Sequence, residues 1–113
     1  MLNLDYLKEV SGGDEGFIKE MMTIFQSEIP KNLDIIKQRF AESDFQGLKD
    51  IIHKYKASLL TLGMASTVEK VKKIEEECMG SKNMDAIKNN LELLLTESEN
   101  TLAEINKWMA ERI

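Results

Sequence analysis

The sequence is poor in the residues that cross-link small proteins, interrupt their secondary structure or bind metals. Its 113 residues include one cysteine, one histidine, one proline and six glycines. The single cysteine excludes a disulfide framework and a cysteine-based zinc site, and the single histidine excludes sites with several histidine ligands. One proline and six glycines are too few for the many turns of a β-sandwich or barrel. We therefore expect few, long elements.

Excess positive charge and long apolar runs are also missing. The chain carries 20 acidic and 15 basic residues, a net charge of −5, which argues against a nucleic-acid-binding protein. No apolar run approaches the roughly 18 residues of a membrane-spanning helix, and the first residues lack the basic and apolar regions of a secretory signal. We expect one cytoplasmic domain over residues 1–113, monomeric, without metal, cofactor or membrane partner.

Apolar residues recur at helical spacing through almost the whole chain. Ser43 and Ser66 are each predicted as an N-cap with a capping-box partner three residues later. Pro30 is expected to kink its helix or to start a new one. The pattern predicts an all-α, up-and-down four-helix bundle with a short N-terminal extra helix over residues 2–10. The four main segments are bounded by Asp14 and Glu42, Ser43 and Gly63, Ser66 and Gly80, and Asn83 and Glu111.

The only histidine falls outside the apolar seam of the segment between Ser43 and Gly63. At about 100° per residue, His53 lies about 130° from the middle of that seam, so its side chain is predicted to point largely to solvent. The seam consists of Phe45, Leu48, Ile52, Tyr55, Leu59 and Leu62. The neighbours of His53 on the same helix face are Lys49, Lys56, Ala57 and Leu60.

The charge of this segment differs from that of the rest of the chain. Residues 46–63 carry three lysines against Asp50, a net charge of +2, whereas residues 1–30 and 84–111 each sum to −4. A local positive field attracts anions, and an exposed neutral imidazole is a competent nucleophile. The patch suits a phosphoryl group that arrives from a partner protein. The alternative is an exposed histidine without a function, beside lysines that form an ordinary solvated face.

Glu75 is a carboxylate on the apolar side of its predicted helix, between Ile74 and Cys78. A covered carboxylate needs a partner. One interpretation is an interhelix ion pair with a lysine. The other is a hydrogen bond from His53 Nδ1, which would fix the tautomer and leave Nε2 free to react.

The run from His53 to Gly63 resembles the signature of histidine-containing phosphotransfer (Hpt) domains, approximately H-x-L-K-G-S-x-x-x-L-G. Five positions match this signature, namely His53, Lys56, Ser58, Leu62 and Gly63. Upstream, Gly12-Gly13-Asp14 followed by Phe17, Glu20 and Phe25 resembles the N-terminal run of the same family. The resemblance covers about the whole chain.

The resemblance implies a four-helix bundle that passes a phosphoryl group between its histidine and an aspartate of a receiver domain. His53 would be the phosphoacceptor, Lys56 would neutralise phosphoryl oxygens, and Glu75 would orient the imidazole. The partner would be the receiver domain of a response regulator or of a hybrid sensor histidine kinase, and that receiver would supply Mg²⁺. No ATP-binding motif is present, so we do not expect the chain to phosphorylate itself.

The docking surface follows from the same resemblance. A receiver would lie over the apolar or small side chains of Ala57, Leu60 and Met64. Its acidic groups would lie near three lysines, Lys49, Lys54 and Lys56.

Ala57 is the main departure from the family, because most members have glycine there. A methyl group one turn from the imidazole could crowd the receiver. This departure leaves two alternatives open, an adaptor of the same fold that binds receivers without accepting phosphate, and a purely structural bundle. Tyr55, in place of the usual leucine, is a milder departure, and its phenol is predicted to reach the edge of the bundle.

Overall fold

The computed structural model describes residues 2–112, and its regular elements are five α-helices. A short first helix is followed by two long and two intermediate ones. The bounds are α1 Asp5–Ser11, α2 Glu15–Ala41, α3 Phe45–Thr61, α4 Ala65–Met79 and α5 Met84–Ala110. Within the described residues there is no β-strand, and no helix is long and apolar enough to cross a membrane.

Helices α2 to α5 close into an antiparallel ring, in which α3 packs on α2 and α4, and α5 packs on α4 and α2. Helix α1 packs on α2 and places Leu7 in the core. Short connections between consecutive helices make neighbours antiparallel. The predicted all-α up-and-down four-helix bundle with an N-terminal extra helix is confirmed. The cytoplasmic location, the monomeric state and the extent of the domain stay predictions.

Two of the four predicted helix starts are confirmed and two are wrong. The side chains of Asp14 and Asn83 accept hydrogen bonds from the first turns of α2 and α5. In front of α3, however, Asp44 Oδ1 accepts from the amide of Gly47, and Ser43 precedes the cap with a φ of 54°. Ser66 lies inside the first turn of α4, whose N-cap Met64 has no side-chain hydrogen bond. The carboxylate of Asp44, one residue later, therefore caps α3 in place of the Ser43 hydroxyl.

Pro30 neither starts a new helix nor divides α2 into two. The helix continues from Glu15 to Ala41 in spite of the missing backbone donor. Ile29 and Leu33, at 1% and 4% exposure, pack the turns on either side of the proline into the core. Tertiary packing of this apolar face therefore outweighs the loss of one backbone hydrogen bond.

The end of α3 is joined to the N-terminal segment. Gly63 follows the last turn with a φ of 70°, the left-handed conformation that favours glycine after a helix. A Cβ at this position would lie 2.6 Å from Cβ of Asn3. The Asn3 amide donates to the carbonyl oxygen of Leu62 at 2.9 Å. These contacts explain why the segment before α1 closes this end of the bundle.

Candidate functional site

His53 projects from the middle of α3 into solvent. Its side chain is 69% exposed, whereas the preceding Ile52 is fully buried. Consecutive helical residues point about 100° apart, so a seam residue and an outward residue can be adjacent in sequence. The predicted exposure of the histidine is confirmed, and a partner protein can reach the imidazole.

Glu75 on α4 binds both candidate partners at once, one with each carboxylate oxygen. Its Oε2 lies 3.1 Å from His53 Nδ1, and its Oε1 accepts from Lys56 Nζ at 2.9 Å. Glu75 therefore makes both of the contacts that the sequence left open as alternatives, and together they form one network across the α3–α4 interface.

This network selects one tautomer of the imidazole. An ionised carboxylate can only accept, so the Nδ1 atom of His53 must carry the proton that is shared with Glu75. In the neutral ring, Nε2 then holds the free lone pair. Burial alone raises the pKa of Glu75, but the hydrogen bonds and positive charges of Lys56 and His53 outweigh it and hold that pKa below its ordinary value. Glu75 therefore stays ionised at neutral pH.

The lysines that were grouped on sequence grounds lie on two different flanks of α3. Lys49 lies on the α4 side, where it lines a shallow cavity of about 380 Å³ together with His53, Glu75 and Met79. Lys54 is exposed on the α2 side, in a depression that Arg39 also lines. The charges of Lys49 and Lys54 therefore lie on opposite sides of His53.

The predicted docking side chains divide into exposed and buried ones. Ala57 is exposed, and Leu60 is 57% exposed. Met64 was expected on the docking surface, but this expectation is wrong. Met64 is the N-cap residue of α4, and its side chain is only 2% exposed because it belongs to the core. It therefore offers a receiver almost no surface to contact.

Met79 is the exposed apolar residue that sequence reasoning missed. The sequence analysis did not place it on the docking surface, yet its side chain is 65% exposed and lines the same cavity as His53. The available signal was its spacing. Met79 follows Glu75 by four residues, so the two share one face of α4.

Tyr55 does not reach the edge of the bundle as predicted. Its side chain is fully buried, and its hydroxyl donates to Ser98 Oγ at 2.8 Å. Burial raises the pKa of the Tyr55 phenol, and the hydrogen bond to Ser98 opposes this only in part. The serine in the apolar face of α5 is therefore explained by the tyrosine that points at it.

Metal binding finds no support in the side-chain arrangement. Within residues 2–112, no group of three or more histidine, cysteine or acidic side chains is placed to hold an ion. Cys78 is buried next to the network, and burial together with the charges of Glu75 and Glu77 raises the pKa of its thiol. This cysteine is a core residue with little thiolate character.

Comparison with known proteins identifies a family for this arrangement. Residues 20–108 match the family described as Hpt domain. Comparison with curated proteins gave no match, and comparison with solved structures gave none either. Hpt domains take part in two-component phosphorelays as phosphotransfer domains and interact with receiver domains. The match spans most of the chain and includes the histidine, its carboxylate partner, the whole of α3 and α4 and most of α2 and α5, so the chain belongs to the Hpt domain family.

Proposed function

We propose that this chain is a phosphorelay intermediate and that Nε2 of His53 accepts the phosphoryl group. The observation that carries the proposal is the pairing of an exposed imidazole with an ionised carboxylate on its other nitrogen. The lone pair of Nε2 attacks the phosphorus of an aspartyl phosphate on a receiver domain. The N–P bond forms as the acyl phosphate P–O bond breaks, and the receiver aspartate leaves as a carboxylate.

The position of the ring proton favours attack by Nε2. The neutral ring carries its one proton on Nδ1, so Nε2 has none to lose when the N–P bond forms. The positive charge that develops on the phosphorylated imidazole is stabilised by Glu75, whose ionised oxygen lies 3.1 Å from Nδ1. The receiver supplies the Mg²⁺ and most of the charge neutralisation at phosphorus, and the chain supplies the nucleophile and nearby ammonium groups.

A receiver docks on a surface that we call the acceptor face, formed by Lys49, His53, Ala57, Leu60 and Met79. Leu60 and Met79 are its large apolar side chains, at 57% and 65% exposure. They lie on either side of His53 along the bundle, because Leu60 is two turns beyond it on α3 and Met79 is one turn beyond Glu75 on antiparallel α4. This arrangement supports a partner that covers the histidine with an apolar contact at each end.

A receiver-binding adaptor is the second candidate function, and the exposed methyl group of Ala57 is the observation that favours it. The methyl group lies one turn from the imidazole on the same helix face. In this alternative a receiver binds the acceptor face, but its phosphoryl group does not come within reach of Nε2. A purely structural bundle is the third candidate, and the contacts of Glu75 with His53 and Lys56 would then serve only stability.

One experiment separates these candidates. Purified receiver domains are phosphorylated with radiolabelled acetyl phosphate, separated from that donor, and incubated with the chain and with its His53→Gln variant. The relay predicts acid-labile label on the chain and none on the variant. Stable receiver binding without label supports the adaptor, and neither binding nor label with any receiver supports the structural bundle. Circular dichroism of the variant confirms that loss of label does not result from unfolding.

A further inference from the structure

The ammonium group of Lys56 is held inward by the carboxylate that also holds the histidine. Lys56 Nζ lies 2.9 Å from Glu75 Oε1, and the two side chains are 22% and 13% exposed. An ion pair shielded to this degree is screened less than a surface pair and restrains both side chains. An ammonium group paired with Oε1 in this way is less available to a phosphoryl group on Nε2 than an ammonium group without a partner.

Lys49 is differently placed on the same helix. It precedes His53 by one turn and lines the cavity between the imidazole and Met79. Within the described residues it takes part in none of the ion pairs or side-chain hydrogen bonds, and the adjacent Asp50 accepts from Gln46 instead. Its four-carbon stem leaves the ammonium group free to turn towards an arriving anion.

From these contacts we propose that the two lysines have different tasks. Lys49 supplies the ammonium group that contacts the phosphoryl oxygens. Lys56 is a positioning residue, which acts on the histidine only through Glu75 by fixing the carboxylate so that Oε2 faces Nδ1. The role of Lys49 rests on the phosphotransfer function proposed above. The positioning of the imidazole by Lys56 is a property of the unphosphorylated chain and can be tested by itself.

An amide in place of the Glu75 carboxylate cannot hold both Lys56 and His53 in the same way. A carboxylate offers two acceptor oxygens, one for Lys56 and one for His53, whereas a glutamine offers one oxygen and an NH₂ donor. In Glu75→Gln, Lys56 can only donate and therefore takes the amide oxygen. The NH₂ group then faces Nδ1, which must become the acceptor, and the proton moves to Nε2. The nucleophilic nitrogen is thereby blocked.

The test of positioning uses ¹⁵N NMR of the imidazole, whose nitrogen shifts distinguish the two tautomers. Because the chain has one histidine, the signals need no assignment. At about pH 9, where imidazoles are neutral, the wild-type chain is expected to be mainly Nδ1–H and Glu75→Gln mainly Nε2–H. The double variant Glu75→Gln/Lys56→Met frees the amide oxygen and is expected to return mainly to Nδ1–H. Unchanged tautomers in Glu75→Gln, or no return in the double variant, would overturn the positioning role.

The test of Lys49 uses phosphorylation by phosphoramidate, a small donor that needs no docking. Lys88→Met is the matched control, since it removes the same charge from an exposed site on α5. Lys49→Met is expected to slow phosphorylation about tenfold. This loss is smaller than that for a donor removed from an enclosed site, because Lys49 is partly exposed to solvent. Lys88→Met is expected to change the rate less than about twofold. Equal losses in the two variants would refute a specific contact by Lys49.

The results also separate failure of this proposal from failure of the proposed function. If the wild-type chain accepts no phosphoryl group from phosphoramidate or from any receiver, the relay fails and the contact by Lys49 fails with it. The NMR result still decides whether Lys56 positions the imidazole. If the chain is labelled but Lys56→Met slows phosphorylation more than Lys49→Met, the relay stands and the assignment of the two lysines is wrong.

Discussion

Helix α3 contributes to two polar clusters that differ in what they leave unsatisfied. Inside the bundle, the Tyr55 hydroxyl donates to Ser98 at 2.8 Å, and both side chains are fully buried. At the surface, Glu75 binds His53 and Lys56, and among residues 2–112 the second ring nitrogen of His53 has no hydrogen-bond partner. A buried polar pair must be closed, because an unmatched group in the core costs free energy. A cluster at the surface can keep one reactive atom open.

The largest expected difference is between removing the buried ring of Tyr55 and removing the exposed ring of His53, which lie on opposite sides of α3. Tyr55→Ala should lower the free energy of unfolding by about 3–5 kcal/mol, since it leaves a cavity in the core. His53→Ala should change it by less than about 0.5 kcal/mol, since the ring is largely exposed. Urea denaturation followed by circular dichroism measures both. Similar losses in the two variants would remove the distinction between the clusters.

A smaller change isolates the hydrogen bond between Tyr55 and Ser98, which form the inner cluster. Tyr55→Phe should cost about 1–2 kcal/mol of unfolding free energy, because the Ser98 hydroxyl stays buried without its donor. The double variant Tyr55→Phe/Ser98→Ala removes both polar groups and should recover part of that loss. Thermal unfolding by calorimetry tests this order of stabilities. A double variant less stable than Tyr55→Phe would show that packing, not hydrogen bonding, dominates.

Between neutral and acid pH, the stability contributed by the outer cluster of Glu75, His53 and Lys56 should depend on pH, whereas that of the inner pair Tyr55 and Ser98 should not. The ionised form of Glu75 is favoured in the folded chain, so its pKa is lower there than in the unfolded chain. Its stabilisation is therefore present above the unfolded pKa and is lost as pH falls through the folded value. At pH 7, Glu75→Gln should be less stable than wild type by about 1 kcal/mol. The difference should shrink below about pH 4.

Urea denaturation at a series of pH values measures that difference, with Glu92→Gln on the exposed side of α5 as the control. A constant difference between wild type and Glu75→Gln from neutral to acid pH would contradict a charge-dependent contribution.

The smallest expected effect concerns the methyl group next to the histidine. Ala57→Gly should lower the free energy of unfolding by about 0.5–1 kcal/mol, the usual cost of glycine in a helix. If the methyl group crowds the receiver, the same variant should accept phosphate from a receiver faster, while its rate with phosphoramidate stays the same. Stopped-flow mixing with a phosphorylated receiver gives the first rate. Equal rates for wild type and variant would show that the alanine is tolerated.

Much of this arrangement was predictable from sequence, since helical spacing fixes which residues share a face. The exposed position of His53 and the buried seam of α3 followed from the 100° rotation per residue. The contacts of Glu75 were predictable only as alternatives, because a helical wheel does not show which side chains of a neighbouring helix lie opposite. The burial of Met64 and the exposure of Met79 were missed for a related reason. Methionine suits both core and surface, and its place depends on where the helix ends.

The single tryptophan gives the protein a built-in optical reporter at a distance from its chemistry. Trp108 stacks against the guanidinium of Arg112, 3.8 Å from the ring centroid, and lines a groove with Gly63 at the far end of α3. Gly63 follows His53 by ten residues, which corresponds to about 15 Å along the axis of α3 at the helical rise per residue. Intrinsic fluorescence should thus follow global unfolding and stay constant when a receiver covers the histidine. Any quenching on complex formation would mark contact at a second place on the molecule.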